Sequence, residues 1–138
     1  MKFFCTRCWQ EIEEATASCS HCGANQEQLG QDPFVRKLIR ALHHPEPETP
    51  VRAAYVLGEL NAKEAVPELK QVIGNSEDPF LRAAAIRALG KIGGVTFSEL
   101  AAALTKSEQS VFERVALKEA LRLIASSKHH AHRTIQSE

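Results

Sequence analysis

Apolar residues recur every three to four positions over most of the chain, from about residue 33 to residue 126. This spacing places them on one face of an α-helix, and the period-two alternation of strands is almost absent there. The pattern predicts six helices, over residues 33–44, 50–60, 64–73, 79–92, 97–106 and 110–126. The larger part of the chain is therefore expected to be helical.

Capping residues mark the predicted helix ends. Three residues precede a proline and are predicted N-caps: Asp32, Thr49 and Asp78. Three more begin capping-box patterns: Asn61, Thr96 and Ser110. Gly74 and Gly93 favour left-handed caps at helix C-termini. Arg82 follows Asp78 by four positions, a spacing that predicts a local salt bridge.

The helical segment also repeats itself. Residues 77–92 resemble residues 46–60 at a shift of 32, and the same shift maps Arg82 onto Arg114 and Ala88 onto Ala120. One helix pair per 31 or 32 residues is typical of an α-solenoid, in which neighbouring pairs stack to bury a common core. The alanine runs 53–54, 83–85 and 101–103 favour close approach of helices. The last helix needs a polar outer face, which Lys118, Glu119 and Arg122 supply.

The strongest repeat is the run from Asp78 to Gly93, with Asp-Pro, Leu-Arg-Ala-Ala and Leu-Gly-Lys-Ile-Gly in sequence. It resembles HEAT repeats of the phycobilisome-lyase type, and the run from Ala65 to Leu69 is similar to the second helix of such a repeat. The resemblance covers about residues 32 to 126, with a degenerate third copy. It implies helical hairpins that present a protein-binding surface.

The first 26 residues differ from the rest, because Ile12 is their only Val, Ile or Leu and because they contain all four cysteines of the chain. The cysteines form two Cys-x2-Cys pairs: Cys5, Cys8, Cys19 and Cys22. Two such turns supply four thiolates, which close a tetrahedral structural site, so we expect one zinc ion there. Iron in a rubredoxin-like cage and two redox-active pairs are the alternatives, although no βαβ pattern supports the redox one.

This N-terminal segment resembles the short zinc ribbons of many bacterial and archaeal proteins. Gly23 follows the second cysteine pair as in those ribbons, but Trp9 stands where the first pair is usually followed by glycine. Trp9 either covers the small core or docks on the helices, or it is an exposed anchor for a partner. His21, between two ligands, is expected to be a solvated turn residue.

Charge is balanced overall, with 17 basic and 17 acidic residues, which argues against a general polyanion binder. The balance hides two regions: residues 1–32 are acidic, whereas the first long helix has a basic face. That face consists of Arg36, Lys37 and Arg40, which with Trp9 are the candidate partner-binding residues. The acidic ribbon is a candidate to dock on it. No membrane span or secretory signal is visible, so a cytoplasmic location is expected.

No catalytic constellation is visible. His43-His44 ends a predicted helix, and His129, His130 and His132 lie in a polar segment predicted to be disordered. Whether the latter bind metal in the cell is left open. The sequence therefore does not predict an enzyme, and no small-molecule substrate is expected.

Together these features predict a mainly α protein: a short α-solenoid of HEAT-like hairpins with a small N-terminal β zinc ribbon. The predicted parts are a ribbon (1–26), a linker (27–31), the array (32–126) and a polar tail (127–138). The function expected is that of a non-catalytic adaptor or regulatory subunit that binds protein. The alternatives are nucleic-acid binding through the ribbon and basic first helix, and an accessory role in bilin-lyase-like cofactor attachment.

Overall fold

The structure, a computed structural model, describes residues 2–13, 16–93, 99–100 and 110–135, with side chains of the last range described as far as residue 126. Strands β1 (Phe3–Phe4) and β2 (Glu11–Ile12) precede the helices. The described α-helices are α1 (Gln26–Gly30), α2 (Phe34–Ala41), α3 (Glu48–Glu59), α4 (Val66–Asn75), α5 (Pro79–Ile92) and α6 (Val111–Ile135). A short 3-10 turn, Lys63–Ala65, precedes α4. None of the described helices has the length and apolar composition that crossing a membrane requires.

The N-terminal segment forms the small sheet that the sequence predicts. Strands β1 and β2 are antiparallel, with Phe3 opposite Ile12 and Phe4 opposite Glu11. The short helix α1 lies in the predicted linker, where the sequence pattern does not predict a helix. It begins because the side chain of Asn25 accepts hydrogen bonds from the backbone N–H groups of Glu27 and Gln28, at 3.0 and 3.1 Å.

The remaining helices share one hydrophobic core. Helix α5 contacts α3, α4 and α6, and α2 contacts α3. The largest fully buried apolar side chains in this part of the chain are Leu42, Leu57, Leu69, Ile73, Ile86, Leu89 and Leu100. The two on α4 are four residues apart and the two on α5 are three apart, as the period of the sequence predicts. The helices themselves confirm the prediction of a mainly helical fold. Of the helix predicted over residues 97–106, only residues 99 and 100 belong to the described part of the chain.

Glycines set the closest helix contacts. A Cβ atom built on Gly90 would lie 2.6 Å from Cα of Ala120, and one built on Gly58 would lie 3.0 Å from Cα of Ala88. The two pairs are related by the 32-residue shift of the repeat. Glycine is therefore required in α5 because the backbone of α6 occupies the space of a side chain.

We expect Gly90→Ala to destabilise the protein by about 1–3 kcal/mol, because the added methyl group overpacks the α5–α6 contact. Gly74→Ala is the matched control: Gly74 lies inside α4, and a methyl group added there would have no neighbour within 4 Å. That change is expected to stabilise by about 0.5–1 kcal/mol through helix propensity. Urea unfolding followed by circular dichroism measures both, and equal effects would contradict the close contact.

Several predicted helix ends are confirmed. Asp78 caps α5, because its Oδ1 accepts from the backbone N–H of Phe80 at 2.9 Å. At Ser110 both capping-box hydrogen bonds form: Ser110 N–H donates to Glu113 Oε2 at 2.7 Å, and Glu113 N–H donates to Ser110 Oγ at 3.2 Å. Gly93 ends α5 with a φ of 72°. Thr96, the start of another predicted box, lies outside the described residues.

Other predicted ends are wrong. Asp32 does not cap α2, since its carboxylate binds Arg40 at 2.6 Å instead. Thr49 lies inside α3, which begins at Glu48. Asn61 lies two residues after the last residue of α3 and has a φ of 52°, so it helps end that helix rather than begin the next. Gly74 lies within α4, which continues to Asn75.

The salt bridge predicted between Asp78 and Arg82 is also replaced. Nε of Arg82 lies 2.8 Å from Oε1 of Glu113, and both side chains are almost fully buried. The two residues belong to adjacent helices, α5 and α6. Because Asp78 is engaged in capping, Arg82 is directed into the helix interface, where the carboxylate of Glu113 neutralises it.

Helix α6 runs on to Ile135, past the predicted end of the array at residue 126. No glycine or proline occurs between residues 111 and 135, so nothing in the sequence stops the helix. The predicted boundary of a disordered tail therefore falls within a helix.

Candidate metal centre

The two Cys-x2-Cys turns have the same backbone hydrogen bonds. In the first, Trp9 N–H donates to Cys5 O at 2.9 Å, and in the second, Gly23 N–H donates to Cys19 O at 2.9 Å. Both closing residues have left-handed conformations, with φ of 59° for Trp9 and 72° for Gly23. Trp9 therefore adopts the conformation usual for glycine, which costs about 1–2 kcal/mol for other residues.

These turns bring the four predicted ligands together: the Sγ atoms of Cys5, Cys8, Cys19 and Cys22 lie within 4.8 Å of one another. Sγ of Cys5 is 3.7 Å from that of Cys22, and Sγ of Cys8 is 3.7 Å from that of Cys19. For zinc–sulfur bonds of about 2.3 Å, a tetrahedron has edges of about 3.8 Å. The four sulfur atoms thus fit a single metal ion.

The thiols differ in their pKa. Burial alone would raise the pKa of Cys5, but backbone N–H groups of Cys8 and Arg7, with the side chains of Cys19 and Gln26, lower it to about 6. For Cys8, the backbone N–H of Gln10 lowers the pKa, yet desolvation and the neighbouring thiols raise it to about 12. Four thiolates within 4.8 Å of one another repel each other. A bound metal ion would relieve this repulsion.

Gln26 joins the two halves of the site. Its Nε2 donates to Sγ of Cys5 at 3.2 Å and to the carbonyl of Ala24 at 3.1 Å. Its Oε1 accepts from the backbone N–H of Thr6 at 3.1 Å. The amide of the first residue of α1 therefore fixes one ligand from outside, a role that no motif in the sequence indicates.

We expect Gln26→Ala to weaken metal binding about 10–100-fold, because outer residues that hold a ligand affect affinity on this scale. Gln28→Ala is the control, since Gln28 is exposed on the same helix. A competition titration against a chromophoric chelator measures both affinities. An unchanged affinity in the Gln26 variant would show that its hydrogen bonds do not position Cys5.

Trp9 docks on the helical part of the chain. Its Nε1 donates to the carbonyl of Arg40 at 2.8 Å, and its ring lies 4.7 Å from that of His44, at 63°. Phe4 also contacts His44, with the ring centroids 5.4 Å apart. Of the interpretations of Trp9, docking on the helices is the one that the structure shows.

The three cations of the basic face of α2 have different surroundings. Arg40 donates to Asp32 at 2.6 Å and to the carbonyl of Leu29 at 3.2 Å, so its side chain holds the linker. Arg36 and Lys37 are exposed. The ribbon therefore approaches α2 by aromatic contacts and hydrogen bonds, with the Asp32–Arg40 ion pair beside them.

The two described histidines near this contact have structural partners. His43 forms a hydrogen bond with Glu68 of α4. His44 packs against the ribbon, and its Nδ1 accepts from the backbone N–H of Glu46 at 3.0 Å. The side chains of His129, His130 and His132 lie outside the described part.

Helical hairpins built on a 32-residue repeat, joined to a four-cysteine site, define the class as a helical-repeat protein with a candidate metal centre. The family model for HEAT repeats matches residues 35–126, two thirds of the chain, so the chain belongs to the HEAT-repeat family. No curated protein and no solved structure matches it. The match agrees with the array predicted over residues 32–126.

Proposed function

We propose that this protein is a non-catalytic adaptor or regulatory subunit that binds another protein. In this proposal a zinc-bound ribbon is docked at one end of a short HEAT solenoid. The family supports it, because HEAT repeats generally mediate protein–protein interaction. The observation that carries it is a set of exposed aromatic side chains on α5 and on two helices that contact it, namely Tyr55 of α3, Phe80 of α5 and Phe112 of α6.

These exposed aromatic side chains have the composition of an interface. The rings of Phe80 and Phe112 pack against each other at 4.7 Å, although both are about half exposed. Beside Tyr55 lies a groove of about 290 Å³, and Nζ of Lys91 stands 4.9 Å from the centre of the Tyr55 ring. Aromatic residues are enriched in protein interfaces, and a partner side chain would fill the groove.

Zinc is the metal we propose for the four cysteines. Four thiolates leave no open coordination position, so the ion would crosslink the ribbon rather than take part in a reaction. Metal analysis of the purified protein tests this proposal. One equivalent of zinc supports it, whereas iron with a thiolate absorption band would favour the rubredoxin-like alternative.

A pull-down from native lysate tests the adaptor function. The metal-loaded chain is compared with Phe80→Ser/Phe112→Ser and with a control variant, Glu64→Ser/Gln71→Ser, changed at exposed positions just before and within α4. We expect one protein to be captured by the unchanged chain and the control, and lost with the aromatic variant. Capture that is equal in all three would contradict the proposed surface.

Nucleic-acid binding is the competing function, and filter binding at moderate salt distinguishes it. The alternative rests on Arg36 and Lys37, which are exposed, since Arg40 is engaged with Asp32. Tight, salt-sensitive binding of DNA or RNA that is lost in Arg36→Glu/Lys37→Glu would replace the adaptor proposal. The accessory role in cofactor attachment rests on fold analogy alone.

A further inference from the structure

The side of α6 that faces away from α5 is where a further helix of the repeat would pack. The 32-residue shift maps Arg82, Ile86 and Gly90 of α5 onto Arg114, Lys118 and Arg122 of α6. In α5, the first and last of these positions face α6: Arg82 pairs with Glu113, and Gly90 abuts Ala120. Their equivalents in α6 therefore mark the side that a following helix would cover.

This side of α6 is cationic. Arg114, Lys118 and Arg122 follow one another at intervals of four, so they form a stripe along the helix. All three are exposed, and none has a side-chain ion pair among the described residues. The carboxylates of α6 do not neutralise them, because Glu113 binds Arg82 and Glu119 binds Arg87.

Apolar side chains lie beside the cations. Val111 is 64% exposed and Val115 is 44% exposed. The polar outer face predicted for the last helix did not include these two apolar residues. A groove of about 380 Å³ lies here, lined by Val111, Arg114, Val115, Leu117, Lys118 and Leu121. An apolar groove bordered by a row of cations is complementary to an amphipathic helix, whose apolar side would remove the groove from water.

We propose that this terminal face, residues 111–122 of α6, binds an amphipathic helix of a partner protein whose apolar side is bordered by acidic residues. The inference rests on the proposed adaptor function and names the class of its partner. A carboxylate on the incoming helix would meet Arg114 as Glu113 meets Arg82, at 2.8 Å. Further acidic residues one and two turns along would meet Lys118 and Arg122.

The differences between α6 and α5 at these repeat positions disfavour a second copy of this chain as the partner. Lys118 stands where α5 has Ile86, and Arg122 stands where it has Gly90, so an apolar helix packed here would bury two cations without partners. Two α6 helices facing each other would oppose like charges. A nucleic acid is also disfavoured, because none of the described residues that line this groove is an aromatic on which a base could stack.

Two synthetic 18-residue helices test the proposal. Both have a Leu/Ala face; one is bordered by glutamates at three successive i, i+4 positions and the other by lysines. Each is titrated into the labelled, metal-loaded chain while backbone amides are followed by NMR. We expect the glutamate peptide alone to bind saturably, with shifts centred on residues 111–122 and with affinity that falls as salt is added.

Charge-reversed variants supply the decisive comparison. Arg114→Glu/Lys118→Glu is expected to weaken the glutamate peptide at least tenfold and to gain binding of the lysine peptide. Arg52→Glu/Lys63→Glu, with the same change of charge at exposed positions of α3 and of the turn before α4, is expected to leave both affinities unchanged. Arg114→Gln/Lys118→Gln repeats the test with a milder change, and circular dichroism verifies that each variant is folded.

Three results would overturn the proposal: equal binding of the two peptides, shifts centred outside α6, or no saturation of the glutamate peptide at about 1 mM. A single-stranded RNA oligonucleotide that shifts the same amides more tightly would assign the face to nucleic acid instead. The adaptor function is judged separately. If a captured partner still binds the Arg114→Glu/Lys118→Glu variant, this face is refuted and the adaptor function stands. If the glutamate peptide binds as expected but no partner is captured, the adaptor function is refuted and the peptide-binding face stands.

Discussion

Removal of the metal is expected to unfold the ribbon and to leave the helices of the HEAT array folded. The buried core of the ribbon consists of Cys5, Ile12 and Cys19, with Phe3 and Cys8 packed against it. So small a core cannot offset the entropy of ordering the segment. Structural zinc supplies about 10–16 kcal/mol of binding free energy in zinc-finger peptides, and the zinc proposed for the four cysteines would contribute to folding in the same way.

Titration with a strong chelator, followed by circular dichroism and by NMR, measures this effect. The helical signal near 222 nm should change little, while the amide resonances of residues 2–25 lose their dispersion. Cys5→Ser/Cys19→Ser should give the same spectra without chelator, because both ligands are buried in the ribbon core. Dispersed ribbon resonances in the chelated protein would show that the segment folds without metal.

Glu113→Ala is expected to destabilise the array by about 3–5 kcal/mol, because it removes the carboxylate that pairs with the buried guanidinium of Arg82. The side chain of Glu113 is only 2% exposed, and it also closes the capping box with Ser110. The double variant Arg82→Met/Glu113→Met should recover most of the loss. A residual cost of about 1 kcal/mol is expected from the missing cap.

The matched control lies on the same two helices. Arg87 of α5 and Glu119 of α6 are 2.7 Å apart, but the Glu119 side chain is 49% exposed. Glu119→Ala is therefore expected to cost at most about 1 kcal/mol, since exposed ion pairs contribute little. Urea denaturation measures these variants against the unchanged chain. Similar losses for Glu113→Ala and Glu119→Ala would contradict the role of burial.

The cluster of four cysteines and the helices could be predicted from sequence because their signals are local. Two residues between cysteines suffice to form one turn, and the spacing of buried leucines reports the helical period directly. In the first turn, Trp9 stands where the ribbon pattern has glycine. The structure gives it the left-handed conformation of Gly23, because the hydrogen bond to Cys5 O and the docking on α2 compensate for the strain.

Interactions between distant segments could not be predicted in the same way. Arg82 has an acidic residue at the ideal helical distance, Asp78, yet it pairs with Glu113 because Asp78 caps the helix and α6 brings a second carboxylate. Asp32 is drawn from the end of α2 by Arg40 for a similar reason. Each case is a competition between local and tertiary partners, and the sequence alone shows only the local partner.

The contact between the ribbon and α2 has a practical consequence. Trp9 is the only tryptophan in the chain, and its indole lies half buried against His44, at the boundary of the two modules. Indole emission moves to longer wavelengths when the ring passes from a packed site into water. The fluorescence of the unlabelled protein therefore follows the attachment of the ribbon in real time, so undocking can be timed by stopped-flow mixing.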